Sequence, residues 1–177
     1  MNETIQSRGK LAVMLLGASA ALPVVLRVLP SIPYAGMVAT LLQFVGVIVF
    51  LMWLHATTRY LGTSVPTRFS PGMAVGGWFI PFANFVLPAL SFGDVYKRST
   101  GRSAGLVGLW WALYLVSTVL TGVSGTMGAQ YAGSSGATVL MAVSWLNLIV
   151  HTGAFGLWAF LVKESTQPSV AGSAVTA

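Results

Sequence analysis

The chain contains no cysteine. Disulfides, thiolate catalysis and Cys-ligated zinc or iron–sulfur centres are therefore excluded. Acids are almost as scarce: Asp and Glu together number 3, and His numbers 2. That leaves little material for general acid–base chemistry, and no metal site or cofactor is expected. Charged residues make up 7% of the 177 positions, against roughly 25% in soluble globular chains. A surface so poor in charge faces something other than water. Disorder is excluded as well, because 55% of the residues are hydrophobic and disorder needs low hydrophobicity. The length corresponds to about one domain.

What the chain has instead is long apolar runs. A hydrocarbon core of ~30 Å takes about 20 apolar residues of helix. Four stretches meet this requirement: 11–29, 35–54, 106–123 and 137–162. The expected fold is an all-α integral membrane protein, with one membrane domain over residues 11–164. Pro30-Ser31-Ile32-Pro33 is expected to turn the chain between the first two spans, and Gly133-Ser134-Ser135-Gly136 to form a flexible loop before the fourth. Residues 1–10 are expected to be a cytoplasmic N-terminus, and the small, polar residues 165–177 a disordered cytoplasmic tail. A rival reading treats the first run as a signal peptide, since Ala18-Ser19-Ala20 resembles a cleavage site. The apolar run continues to Leu26, which favours a retained span.

The net charge of +6 orients the spans. Four crossings place Arg8, Lys10, Arg59, Arg68, Lys97, Arg98, Arg102 and Lys163 on one side, leaving only Arg27 near the other. Lys and Arg accumulate on the cytoplasmic side, so both termini are expected there. The residues sit at the ends of apolar runs and not in a basic stretch with interleaved aromatics, so nucleic acid is not an expected partner. Trp53 and Trp158 fall near the inner interface, and an aromatic belt accounts for them.

The segment Ser70 to Tyr96 is apolar but broken by Pro71, Pro81 and Pro88 and by Gly72, Gly76 and Gly77. A fifth crossing here would leave four basic residues inside and five outside. The charge rule thus favours a re-entrant or interfacial segment at the inner face, residues 70–99, whose free amides must be buried or wetted. Pro88 to Ser99 reads as an amphipathic helix, with Asn84, Ser91, Asp94 and Arg98 within one arc and Asp94 and Arg98 spaced to pair.

The run Phe50-Leu-Met-Trp53-Leu-His55, then Leu61-Gly62, then Ser70-Pro71-Gly72 through Gly76-Gly77-Trp78-Phe79-Ile80-Pro81 and Asn84 to Pro88, resembles a bacterial membrane family catalogued as domain of unknown function 4328. The resemblance covers about residues 50–99. It implies a multi-helix bacterial inner-membrane protein and supplies no reaction. It marks Trp53, Ser70, Pro71, Trp78, Pro81, Asn84 and Pro88 as a candidate platform. Members tend to carry an Arg soon after the Trp and an Asn a few residues later. Here Ala56-Thr57-Thr58-Arg59-Tyr60 follows, so a role tied to that pair does not carry over.

Polar residues at bilayer depth are default functional candidates. Tyr114, Ser117, Thr121 and Ser124 recur at helical spacing on the third span, and Ser144, Asn147 and His151 on the fourth. Thr40 and Gln43 stand one turn apart on the second. Counting ~1.5 Å of rise per residue from the inner ends puts Gln43, Ser117 and His151 about 16 Å deep, and Thr40, Thr121 and Asn147 about 22 Å deep. Gln43, Tyr114, Ser117, Asn147 and His151 are therefore expected as an intramembrane polar cluster. Interhelical glue and a binding site are the competing roles. Signatures of soluble enzymes are missing: there is no H-E-x-x-H, G-x-S-x-G, P-loop or dinucleotide fingerprint. The expectation is a non-enzymatic interaction or regulatory membrane protein, with the bilayer and a protein partner or second copy as its contacts. A small transporter or channel-like protein with a site in the bundle centre is the alternative.

Overall fold

The computed structural model describes residues 1, 3–28, 34–64, 66–131 and 136–167. The expected Pro30–Pro33 turn, the Gly133–Ser135 part of the loop, the Arg27 side chain and residues 168–177 of the tail lie outside the described residues. Among the described residues six α-helices follow one another: α1 (Glu3–Val28), α2 (Ala35–Leu61), α3 (Pro71–Gly76), α4 (Leu87–Thr100), α5 (Gly105–Tyr131) and α6 (Ala137–Thr166). A 3-10 turn, Ala83–Phe85, precedes α4. Among the described residues α1, α2, α5 and α6 are long and apolar enough to cross a membrane, which makes this a membrane protein of all-helical class.

Three boundaries differ from expectation. The first helix starts at Glu3, so residues 3–10 are helical and not a separate N-terminus. The third long helix runs to Tyr131, well past Val123. The last helix takes in Ser165 and Thr166, both buried, so the tail begins later than expected. At the α1 and α6 ends the reason is shared: Ile5, Ser165 and Thr166 are buried, so packing against other elements continues the helix past the apolar run.

The long helices form an open arc. α1 packs on α2 and α6, and α5 packs on α6, whereas the backbones of α2 and α5 do not approach each other among the described residues. α4 crosses one end of the arc and touches α2, α5 and α6. That end carries the start of α1, the ends of α2 and α6 and the start of α5.

The core concentrates at the α4 end. Phe50, Trp53, Phe92, Trp110 and Trp158 are buried there, with ring centroids 5.3–5.9 Å apart in stacked and edge-on pairs, the spacing at which aromatic quadrupoles attract. The aromatic-belt expectation for Trp53 and Trp158 is thereby corrected. Trp53 is 0% exposed and Trp158 is buried, because α4 lies across the helix ends and turns an interface position into a core position. Away from that end the apolar side chains point outward, among them Phe44, Val119, Met141 and Ile149. So large an exposed apolar surface is untenable in water and natural in lipid.

Candidate functional site

The segment between α2 and α4 starts as its residues dictate. The Ser70 hydroxyl accepts from the Met73 amide at 3.2 Å, and Pro71 opens α3. A Ser N-cap followed by Pro in the first helical turn is the expected arrangement. Pro88 does the same in the first turn of α4 and is buried. α4 ends on Gly101, whose φ of +72° is the left-handed conformation a helix stop needs.

Between α3 and α4 the chain makes successive turns. Backbone bonds run from Trp78 to Val75, Phe79 to Gly76, Asn84 to Ile80 and Phe85 to Phe82, at 2.9–3.2 Å. Phe82 adopts φ 63°, an outlier for a bulky residue, and projects outward at 85% exposure. Trp78 points the other way. Its ring meets Phe50 of α2 and Trp111 of α5 edge-on, each at 5.7 Å. The Trp111 indole Nε1 donates to the Phe85 carbonyl at 2.7 Å. The segment is thus a wedge seated where α2 and α5 fail to meet.

Behind the wedge lies a cavity of about 110 Å³. All four long helices line it, through Ser19 and Leu16, Gln43 and Val47, Tyr114, and His151, and Trp78 closes one side. The Trp78 indole nitrogen is buried without a hydrogen-bond partner.

The expected polar cluster forms in part. Ser117 Oγ lies 3.2 Å from Asn147 Oδ1 and 3.1 Å from His151 Nδ1. Asn147 Nδ2 donates to Thr121 Oγ1 at 3.0 Å. The stripes of α5 and α6 therefore meet as the spacing implies. Gln43 does not join them, because α2 does not reach α5; it lines the cavity wall opposite His151. Thr40 bonds back to the Gly36 carbonyl of its own helix. Tyr114 stacks on Trp111 at 5.1 Å.

Of the platform residues, Trp53, Trp78 and Pro88 turn inward, while Ser70, Pro81 and Asn84 are exposed. The polar arc expected on α4 is not its solvent face. Ser91 is buried and donates to Pro88 O at 3.3 Å, whereas Leu90 is 37% exposed. The Asp94–Arg98 pair does form, at 2.9 Å, and Asp94 Oδ2 also accepts from the Arg68 amide.

One polar cluster escaped the sequence reading. The Tyr96 hydroxyl donates to Glu164 Oε2, and Arg102 Nη1 donates to Glu164 Oε1, each at 2.6 Å. This ties α4 and the following loop to the end of α6. The available signal was the scarcity of acids: a carboxylate in such a chain needs a partner. Burial, and secondly the bond to Glu164, push the Tyr96 hydroxyl above its ordinary pKa. The folded state holds this proton more tightly than the unfolded chain. The contribution is therefore full below about pH 10 and is lost as pH rises through the folded value. Unfolding midpoints between pH 8 and 11 are expected to fall more steeply for the wild type than for Tyr96→Phe. Parallel curves would remove Tyr96 as the cause.

Four membrane-competent helices, a Pro/Gly-broken wedge and a cleft shared by all four define a multi-span membrane protein. The family described as Domain of unknown function (DUF4328) matches residues 31–167, and the chain belongs to it. The match covers the wedge, the cavity's α2, α5 and α6 walls and the Glu164 cluster. No curated protein and no solved structure matches the chain.

Proposed function

We propose that this is a non-enzymatic protein of the bacterial inner membrane, with both termini cytoplasmic, that binds a small ligand in the cleft and acts through interaction or regulation. The observation that carries the reading is the cavity joining Gln43 to His151, which all four long helices line. Its volume of about 110 Å³ is below the ~300–1,000 Å³ of drug-sized sites. It suits a few waters or the end of an alkyl chain with one polar group.

The wedge supports a re-entrant segment. Trp78 meets Phe50, ~16 Å along α2 from Leu61, and Trp111, ~9 Å along α5 from Gly105, at 1.5 Å per residue. Its own turns occupy amides that lipid would leave unsatisfied. The exposed Phe79, Phe82 and Phe85 offer a lipid-facing or partner-facing surface beside it.

Absence of catalysis rests on where the reactive groups stand. Ser117 and His151 are within nucleophile–base distance. Yet Ser117 is 3% exposed, does not line the cavity, and shares its hydroxyl with Asn147. Such bonds hold helices together, at an average of ~0.6 kcal/mol each in membranes. Asp94 and Glu164 are bound to arginines away from the cleft.

Transport is the second reading, favoured by the gap between α2 and α5 that the wedge plugs. Discontinuous segments at membrane depth commonly build transporter sites. Because the chain has no Cys, single-Cys variants report without background. A small polar thiol reagent is expected to modify Val47→Cys in sealed vesicles and to spare the lipid-facing Phe44→Cys. An impermeant reagent is expected to reach Ser103→Cys from the cytoplasmic side only. An inert Val47→Cys overturns the site, and an external Ser103→Cys overturns the topology. Modification of Val47→Cys from one face supports binding, and from both faces supports transport.

A further inference from the structure

A second, larger concavity is lined by α1 and α6 alone, through residues other than those that line the cleft. It is a groove of about 750 Å³ between the two helices at the α4 end. Its lining is graded along the helix axes. Val13 and Met14 of α1 and Phe160 of α6 lie toward the middle of the helices, and Lys10 and Lys163, one from each helix, stand nearer the ends. Met14 and Phe160 are exposed, so the apolar part opens to the surroundings and not into the core.

Among the described residues, no counter-charge faces the two lysines, and neither forms an ion pair. Asp94 is engaged by Arg98, Glu164 by Arg102 and Tyr96, and Glu3 lies two turns before Lys10 at the start of α1. The groove thus presents an apolar trough capped by two unneutralised ammonium groups. An amphiphile with a long apolar tail and a compact anionic head complements both parts. Basic pockets between helices at the cytoplasmic end are where acidic headgroups bind, with each Lys near the surface adding attraction.

We propose that this groove binds one anionic phospholipid of the adjoining leaflet, its phosphate between Lys10 and Lys163 and an acyl chain along Val13, Met14 and Phe160. The proposal rests on the chain spanning a membrane, but not on its orientation, since both lysines lie at the same end in either case. It is also independent of the cleft: loss of lipid binding leaves Val47→Cys labelling unchanged, and the reverse.

Full-length protein in neutral detergent is titrated with phosphatidylglycerol or phosphatidylcholine, and bound lipid is counted by native mass spectrometry. The wild type is expected to retain one phosphatidylglycerol in preference to phosphatidylcholine. Lys10→Gln/Lys163→Gln is expected to weaken this at least tenfold, and Lys10→Arg/Lys163→Arg to keep it. Arg59→Gln/Lys97→Gln, which removes the same charge elsewhere, is expected to bind as the wild type does. Each single Lys→Gln variant, at an exposed position, is expected to show an intermediate loss. Equal retention by the lysine double variant, equal binding of the two lipids, or an equal loss in the Arg59/Lys97 variant overturns the proposal. Displacement of the lipid by millimolar inorganic phosphate overturns the lipid source in favour of a free anion.

Discussion

Trp53→Ala is expected to destabilise the protein by ~3–5 kcal/mol, the cost of emptying a large buried aromatic site. Trp53 is 0% exposed. It stacks on Phe50 at 5.7 Å and meets Phe92 of α4 edge-on at 5.9 Å. From α1, Gly9 comes so close that a Cβ there would sit 3.0 Å from Trp53 Nε1. One side chain therefore joins α1, α2 and α4. Its indole nitrogen has no hydrogen-bond partner, so Trp53→Phe loses volume without losing a bond and is expected to cost clearly less. Denaturant titration in detergent, read by helicity, measures both. A midpoint for Trp53→Ala within ~0.5 kcal/mol of the wild type, the range of surface substitutions, would show that the aromatic cluster is not the folding core.

Trp53 also marks the limit of what was legible in the sequence. The four spans were visible because an apolar run of membrane length has few other uses. The α5–α6 contact was visible because Ser117, Asn147 and His151 fall on facing stripes, and a stripe needs only helical periodicity. The interior role of Trp53 was not visible. A Trp near the end of a span looks the same in an aromatic belt and in a core, and the difference is α4 lying across the helix ends. The same crossing buries Ser91 and turns Leu90 outward, against the polar arc read from α4 alone. Gln43 failed to join the polar cluster for a similar reason. Depth along a helix follows from counting residues, but which helices are neighbours does not, and here α2 and α5 are not neighbours. The motif residues Ser70, Pro71 and Pro88 proved to be helix starts. Their positions reflect the bends the wedge requires, while the cavity behind it comes from Trp78 and the gap it fills.

Gly46→Leu is expected to disrupt the α1–α2 contact more than any other single change on α2 outside the aromatic cluster. A Cβ at Gly46 would lie 2.7 Å from Leu16 Cγ and 3.2 Å from the Leu16 backbone nitrogen. The first clash is with a branch point and the second with main chain, so neither yields by rotating a flexible tip. Small residues at such crossings let backbones approach, and that proximity drives helix association in lipid, where no hydrophobic force separates helix from solvent. Overpacking of this kind costs ~1–3 kcal/mol or more, and Gly46→Ala is expected at the lower end. The effect has a specific partner. Leu16→Ala alone is expected to destabilise, yet combined with Gly46→Leu it is expected to recover part of the loss, because the two side chains claim one space. A coupling energy of ~0.5–3 kcal/mol in a double-mutant cycle, the range for residues in contact, measures this. Strict additivity would place the damage in backbone separation alone. Leu16 also lines the cleft beside Val47, so the same cycle read by Val47→Cys labelling tests whether the α1–α2 crossing sets the shape of the site.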